Sequence, residues 1–241
     1  MKRLLDILAS FLGLFFLSPV LLIVLFLIWR QDRHSPFYIA PRVGKNGRLF
    51  NMVKLRSMIV GADKAGIDST SVFDSRITPI GHLVRRYKLD EFTQLWNVLK
   101  GDMSLVGPRP NVKRETDLYT EEEEKLLSVR PGITDFASIV FSDENEILKD
   151  CEDPDIGYNQ LIRPWKSRLG ILYVENRSLF LDLKLIFLTG FAIMSREKAL
   201  KGVSKMLCSI AAPDDVVEVS KRTCKLEPCP PPGADCIVTS R

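Results

Sequence analysis

Residues 7–29 are apolar throughout apart from Ser10, Gly13 and Ser18. A run of about 20 apolar residues is long enough to cross the hydrocarbon core of a bilayer as a helix. It is too long for the core of a cleavable signal peptide, and no small-residue cleavage site follows it. Ser18-Pro19 sits in its middle, where proline removes a backbone donor and restricts the residue before it, so a bend is expected there. Basic residues flank both ends, Lys2 and Arg3 before, Arg30 and Arg33 after. Positive charge favours the cytoplasmic side, and a helix that enters, breaks at Ser18-Pro19 and returns places both ends there. A proline-kinked helix that crosses once is the alternative the residues leave open.

The rest of the 241 residues suits one globular domain of roughly 170 residues. We divide the chain into a membrane segment (1–30), a globular domain (31–204) and a tail (205–241). The net charge of +4 comes from Lys and Arg scattered among acids. That pattern argues against nucleic acid and for a membrane surface or a phosphorylated substrate. The five cysteines show no C-x-x-C spacing, so zinc ribbons and dithiol chemistry are unsupported and reduced thiols are expected. With only His34 and His82 present, chemistry falls to carboxylates, Lys and Arg. P-loop, dinucleotide, zinc-protease and serine-hydrolase motifs are missing.

Residues 37–39 and 49–53 read as strands around the turn Gly44-Lys45-Asn46-Gly47. Residues 61–78 read as a polar loop. From Ile80 a helical pattern grows, and Leu89, Phe92, Leu95, Trp96 and Leu99 mark one face up to Gly101-Asp102. Thr120 before Glu121, Glu122, Glu123 and Glu124 reads as an acidic helix start. Arg130-Pro131-Gly132 reads as a turn, and 143–170 as short helices with loops. Residues 179–194 are apolar but carry Asp182 and Lys184. They suit a helix in the membrane interface or against the N-terminal segment, or an ordinary core helix. The tail, with Cys229 before Pro230-Pro231-Pro232, reads as flexible or as a docking peptide.

The chemistry lies in a basic and acidic constellation. In Lys54-Leu55-Arg56-Ser57-Met58 the two cations share one face of a strand. Arg109, fixed between Pro108 and Pro110, suits a diphosphate clamp, or a structural salt-bridge anchor. Asp90-Glu91 opens a helix. Asp90 is there either as an N-cap, or as an ionised carboxylate able to attack phosphorus or hold a divalent cation.

Taken together these segments resemble the bacterial sugar transferase family, the monotopic phosphoglycosyl transferases of the small, catalytic-domain-only type. The matching stretches are Leu17-Ser18-Pro19, residues 54–58, Leu89-Asp90-Glu91, residues 94–110, Arg130-Pro131-Gly132-Ile133-Thr134 and residues 173–184. The resemblance covers roughly residues 1–200. It implies an α/β membrane-associated domain with a re-entrant helix broken at Ser18-Pro19 and amphipathic interfacial helices, on the cytoplasmic face of a bacterial inner membrane. It implies transfer of a sugar-1-phosphate from a UDP-sugar to polyprenol (undecaprenyl) phosphate with release of UMP, the first membrane step of glycoconjugate synthesis. Asp90 would be the nucleophile of a covalent phosphosugar intermediate, and Glu91 would help hold Mg²⁺ or manage the lipid phosphate. Lys54, Arg85 and Arg109 match family positions around the substrate phosphates, and Asp182 would be an acid near the site; Arg56, on the strand face of Lys54, is counted with them as substrate-binding. Expected protein partners are later glycosyltransferases and a second copy of the chain in a homodimer.

After Thr134 the sequence leaves the family pattern. Many members continue Gly-Trp-Ala-Gln and then carry an Arg, where this chain has Asp135-Phe136-Ala137-Ser138 and places Ser142 at the Arg position. Arg163 and Lys166 are the cations available to replace it. Two rival readings stand: an inactive membrane scaffold that binds nucleotide-sugars or later glycosyltransferases, and a single-span protein with an outward domain.

Overall fold

The computed structural model describes residues 1–62 and 74–239, so most of the loop expected over 61–78 lies outside the described residues. The apolar run forms one helix, α1 (Lys2–Asp32), with Pro19 inside it. The expected break at Ser18-Pro19 does not interrupt the helix. Proline lacks the N–H that would bond the carbonyl four residues back, at Phe15. Ser18 Oγ donates to that carbonyl at 2.7 Å and supplies the missing partner. At 1.5 Å per residue α1 is about 46 Å long. Among the described residues it alone is long and apolar enough to cross a membrane.

Phe37–Val43 (β1) and Leu49–Leu55 (β2) form the expected antiparallel hairpin, closed by a 3-10 turn at Lys45–Gly47. The expected long helix from Ile80 is cut into α2 (Pro79–Arg86), α3 (Leu89–Phe92) and α4 (Leu95–Lys100). Lys88 adopts φ 51°, a left-handed conformation that cannot continue a helix. Leu95 is buried and Leu89 and Phe92 half-buried, but Trp96 points outward.

Ser104–Val106 (β3) pairs in parallel with Gly132–Thr134 (β4), so the stretch expected as a turn is partly strand. The pairing sets Gly107 against Gly132 so closely that a Cβ on Gly132 would lie 2.1 Å from Gly107 N. Only glycine lets the two Pro-flanked segments meet. Short helices follow: α5 (Lys113–Thr116) before β4, then α6 (Phe136–Val140), α7 (Glu144–Ile147) and α8 (Pro154–Gly157). The acidic start at Thr120 is a reciprocal cap. Thr120 Oγ1 accepts from Glu123 N and Glu123 Oε2 from Thr120 N, both at 3.2 Å, opening a 3-10 helix over Glu123–Ser128.

The main core is built by α6, α9 (Arg163–Asn176), α10 (Leu179–Met194), α11 (Arg196–Ser209) and α12 (Asp214–Lys221). Phe136, Leu169, Tyr173, Leu185 and Leu207 are all but inaccessible to solvent. Each such burial is worth roughly 1.5–3 kcal/mol. The expected boundary at 204/205 cuts through α11. Met206, Leu207, Val216 and Val217 belong to this core, and the chain beyond α12 packs back on the domain instead of trailing free. Arg168 Nη2 donates to Pro230 C=O, and Thr120 Oγ1 to Pro232 C=O. In α10, Leu181, Asp182 and Leu185 face inward while Phe180, Leu183, Phe187, Ile193 and Met194 are exposed. The helix thus serves the core and also presents a bare apolar face.

Candidate active site

A second, smaller core holds β2 and α3 together. Leu21, Val24 and Ile28 of α1 pack on Leu55 and Val84, with Ile80, Leu89 and Phe92 at the edge. Fully buried Asn97 then stitches α4 to β2. Its Oδ1 accepts from Val53 N at 2.9 Å and its Nδ2 donates to Asn51 C=O at 2.7 Å, as another strand would. Thr93 Oγ1 lies within 3.0 Å of both Val53 C=O and Asp90 C=O. These contacts fix Lys54, at the end of β2, opposite α3.

Lys54 Nζ sits 3.8 Å from Asp90 Oδ2, and Arg109 Nη1 donates to Glu91 Oε1 at 3.2 Å. Arg85, from α2, is tied to Ser57 through Nε at 3.0 Å. Lys54, Arg85, Asp90, Glu91 and Arg109 all line one cleft of about 1360 Å³. Arg109 stands out of a rigid stalk: Pro108 and Pro110 are buried, and the guanidinium between them is over a third exposed. Lys88 does the aiming on the other side. Its left-handed backbone, at a cost of about 1–3 kcal/mol, turns α3 away from the line of α2. Asp90 is the second residue of α3 and makes no capping bond; Lys88 holds the N-cap position. The capping reading of Asp90 is therefore replaced by a side chain that faces a cation across a cleft.

The cluster's charges act on one another in both directions. Burial and the neighbouring Arg109 lower the Lys54 ammonium to about 8, with Asp90 and Glu91 opposing them. Burial would raise the Glu91 carboxyl, but the cations Arg109, Lys88 and Lys54 hold it below its ordinary value, so it stays ionised. Burial lowers Arg85, and Asp90 works against that.

Two residues expected to bind substrate are placed elsewhere. Arg56 follows the end of β2, where its guanidinium clasps Asp32 at 2.5 and 2.7 Å and donates to Ser35 C=O. It borders the cleft but its donors are spent anchoring the end of α1. Asp182 is buried and outside the cleft, bonded to Lys2 Nζ and Tyr173 OH, both at 2.6 Å. The two candidates for the missing Arg also separate. Both border the cleft, but Arg163 is locked in a buried pair with Glu123, whereas Lys166 pairs with Glu144. Ser142 Oγ accepts from Arg196 Nε at 3.2 Å, so a guanidinium reaches this position from α11, nowhere near it in sequence. Among the described residues no group of three or more His, Cys, Asp or Glu forms a metal nest. Asp90 and Glu91 as a carboxylate pair, completed by substrate oxygens, suit Mg²⁺, which commonly takes one or two carboxylates plus phosphates.

Residues 1–196 match the bacterial sugar transferase family. The chain belongs to that family. It is 34% identical over 199 residues to the UDP-N-acetylgalactosamine-undecaprenyl-phosphate N-acetylgalactosaminephosphotransferase of Aeromonas hydrophila, covering 79% of this chain and 44% of the relative. It is 38% identical over 197 residues to the undecaprenyl-phosphate glucose phosphotransferase of Komagataeibacter xylinus, covering 78% and 35%. The sugar transferase EpsL of Bacillus subtilis strain 168 is 35% identical over 197 residues, 82% of this chain and 89% of that one. The chain thus spans less than half the length of the first two.

Proposed function

We propose that this chain transfers a sugar-1-phosphate from a UDP-sugar to polyprenol phosphate, releasing UMP, with Asp90 as nucleophile. The observation that carries the reading is the meeting of Asp90 and Glu91 with Lys54, Arg85 and Arg109 in one cleft. Relatives whose names state phosphotransfer to undecaprenyl phosphate support it. An Asp90 oxygen attacks the β-phosphorus. The bond from that phosphorus to the bridging oxygen breaks, and UMP leaves with the electron pair. An oxygen of the lipid phosphate then attacks the same phosphorus and frees the Asp90 carboxylate. Positioning and fixed cations supply most of the acceleration in such transfers. Arg109 offers a planar fork to phosphate oxygens, Arg85 adds a second guanidinium, and Lys54 adds a point charge beside the attacking carboxylate. Asp90 and Glu91 would hold Mg²⁺, which when bound supplies further charge neutralisation on the phosphates.

α1 enters and leaves the membrane by one face in this reading. Its first turn is bonded to the domain by Arg3, whose guanidinium donates to Val98 and Leu99 carbonyls, and its last turn by the Asp32–Arg56 pair. A crossing helix would carry those ends to opposite sides. The bare middle, with Phe11, Phe15, Phe16, Leu22 and Ile23 exposed, faces lipid. In this reading the domain lies on the cytoplasmic side, which the basic flanks favour. An impermeant thiol reagent should then label exposed Cys208 and Cys224 in inverted vesicles only. Labelling in intact cells would defeat this topology.

The activity is tested by incubating bilayer-embedded protein with Mg²⁺, undecaprenyl phosphate and a panel of UDP-sugars. UMP release for at least one sugar is expected. No UMP from any of a broad panel would overturn the reading.

A further inference from the structure

The strand β3 leads directly into Gly107-Pro108-Arg109-Pro110, and side chains of α1 hold it from outside the sheet. Asp6, 3% exposed, accepts from Ser104 Oγ at 3.1 Å and from Leu105 N at 3.0 Å. Lys2 Nζ donates to Val106 C=O at 3.0 Å and to the Asp182 carboxylate. Tyr173 OH gives its one proton to Asp182 Oδ1 and lies 3.0 Å from both Lys2 Nζ and Val106 C=O. Burial and the Asp182 carboxylate push the Tyr173 phenol far above its ordinary range, so it stays a donor.

The Asp182 carboxylate is buried while the Lys2 ammonium is 39% exposed; such a pair adds little net stability over apolar packing, and its best-attested use is to fix register. The register fixed here is that of β3 against the first turn of α1. Three residues after Val106, held between Pro108 and Pro110, stands Arg109. We propose that Lys2, Asp6 and Asp182 are positioning residues for Arg109, and that they pass the seating of α1 in the bilayer to the cleft. For its catalytic readout the proposal rests on the transferase reading above, but its structural readout does not. A helix displaced from the membrane would withdraw Asp6 and Lys2 from β3 and loosen the Arg109 stalk. Asp182, expected from the resemblance as an acid near the site, acts in this proposal through the strand that bears the clamp.

The test uses the full chain in lipid nanodiscs, comparing wild type with Asp6→Ala, Asp182→Asn, the conservative Asp182→Glu, Arg109→Ala and the Asp182→Asn/Arg109→Ala double variant. Hydrogen exchange is followed by peptide, and UDP binding and UMP release are measured in parallel. Asp6→Ala and Asp182→Asn should speed exchange in 104–110 by about tenfold, the worth of one lost hydrogen bond, while α9, α11 and α12 keep wild-type rates. UDP binding should weaken about tenfold in both, with Asp182→Glu recovering most of it. In the Arg109→Ala background Asp182→Asn should weaken binding no further. Exchange unchanged in 104–110, or raised equally across the core, would overturn the proposal, as would additive losses in the double variant. A wild type that released no UMP would count against the transferase reading alone, because the exchange pattern decides the positioning role without turnover.

Discussion

Two clusters in this molecule are built from the same chemistry and kept in opposite conditions. Around Glu123 every charge is matched. Arg163 meets its two oxygens through Nε at 3.1 Å and Nη2 at 2.6 Å, Ser167 Oγ adds a bond at 2.6 Å, and both side chains are buried. The remaining guanidinium donors reach Leu118 C=O and Asn159 Oδ1. Around Asp90 the pairing is loose. Lys54 stands 3.8 Å away, Glu91 and Arg109 touch at 3.2 Å, and the side chains open to a cleft. Saturated charges hold a fold and have nothing left for a ligand. Unsaturated ones are electrostatically uncomfortable until phosphates and a counter-ion arrive, which is the condition expected of a phosphoryl-transfer site.

The contrast can be broken at either cluster. The largest effect should come from Asp90→Asn: UMP release lost by at least about a thousandfold, with thermal unfolding within a degree or two of wild type. Retained activity would remove Asp90 as nucleophile. Glu123→Ala should do the reverse. It strands a buried guanidinium, so denaturant unfolding should show a loss of about 3–5 kcal/mol, while the folded fraction keeps its UMP release. A stable Glu123→Ala protein would dissolve the distinction drawn here.

A smaller and sharper effect concerns Lys54, held at about 8. It is a cation below that pH and neutral above, so UMP release should decline as pH rises through about 8. Its folded value lies below the ordinary 10.5. The folded state therefore binds fewer protons than the unfolded between about 8 and 10.5, and this group makes stability rise across the window in which activity falls. Lys54→Arg keeps the charge and should move the alkaline limb of the rate profile upward. A limb that stays near pH 8 in that variant would assign it to another group.

Much of the fold was legible where the signal is local. The hairpin follows from alternation around Gly44 and Gly47, and the Thr120 cap from its acidic run. The cleft was legible only through spaced motifs, because Lys54, Arg85, Asp90 and Arg109 are joined by tertiary contacts. Side chains that share a motif can also diverge: Arg56, two residues from Lys54, goes to Asp32 because β2 ends at Leu55. In the tail, cysteines and prolines mask a helical signal that begins before them. Ala199, Leu200, Val203, Met206 and Leu207 recur at helical spacing and are buried, so α11 runs past 204 into the segment expected as tail. Arg196 at Ser142 left no local trace at all, since the two meet across more than fifty positions.

The central claim is that Asp90 carries the phosphosugar, and trapping it is the most direct test. Bilayer-embedded protein is given the UDP-sugar it turns over, without polyprenol phosphate, then quenched and mapped by mass spectrometry. The account predicts one added sugar phosphate on the peptide containing Asp90, lost when polyprenol phosphate is supplied and never formed in Asp90→Asn. UMP release that proceeds only with the lipid present, with no adduct on that peptide under any quench, would contradict it and favour direct transfer between the two substrates.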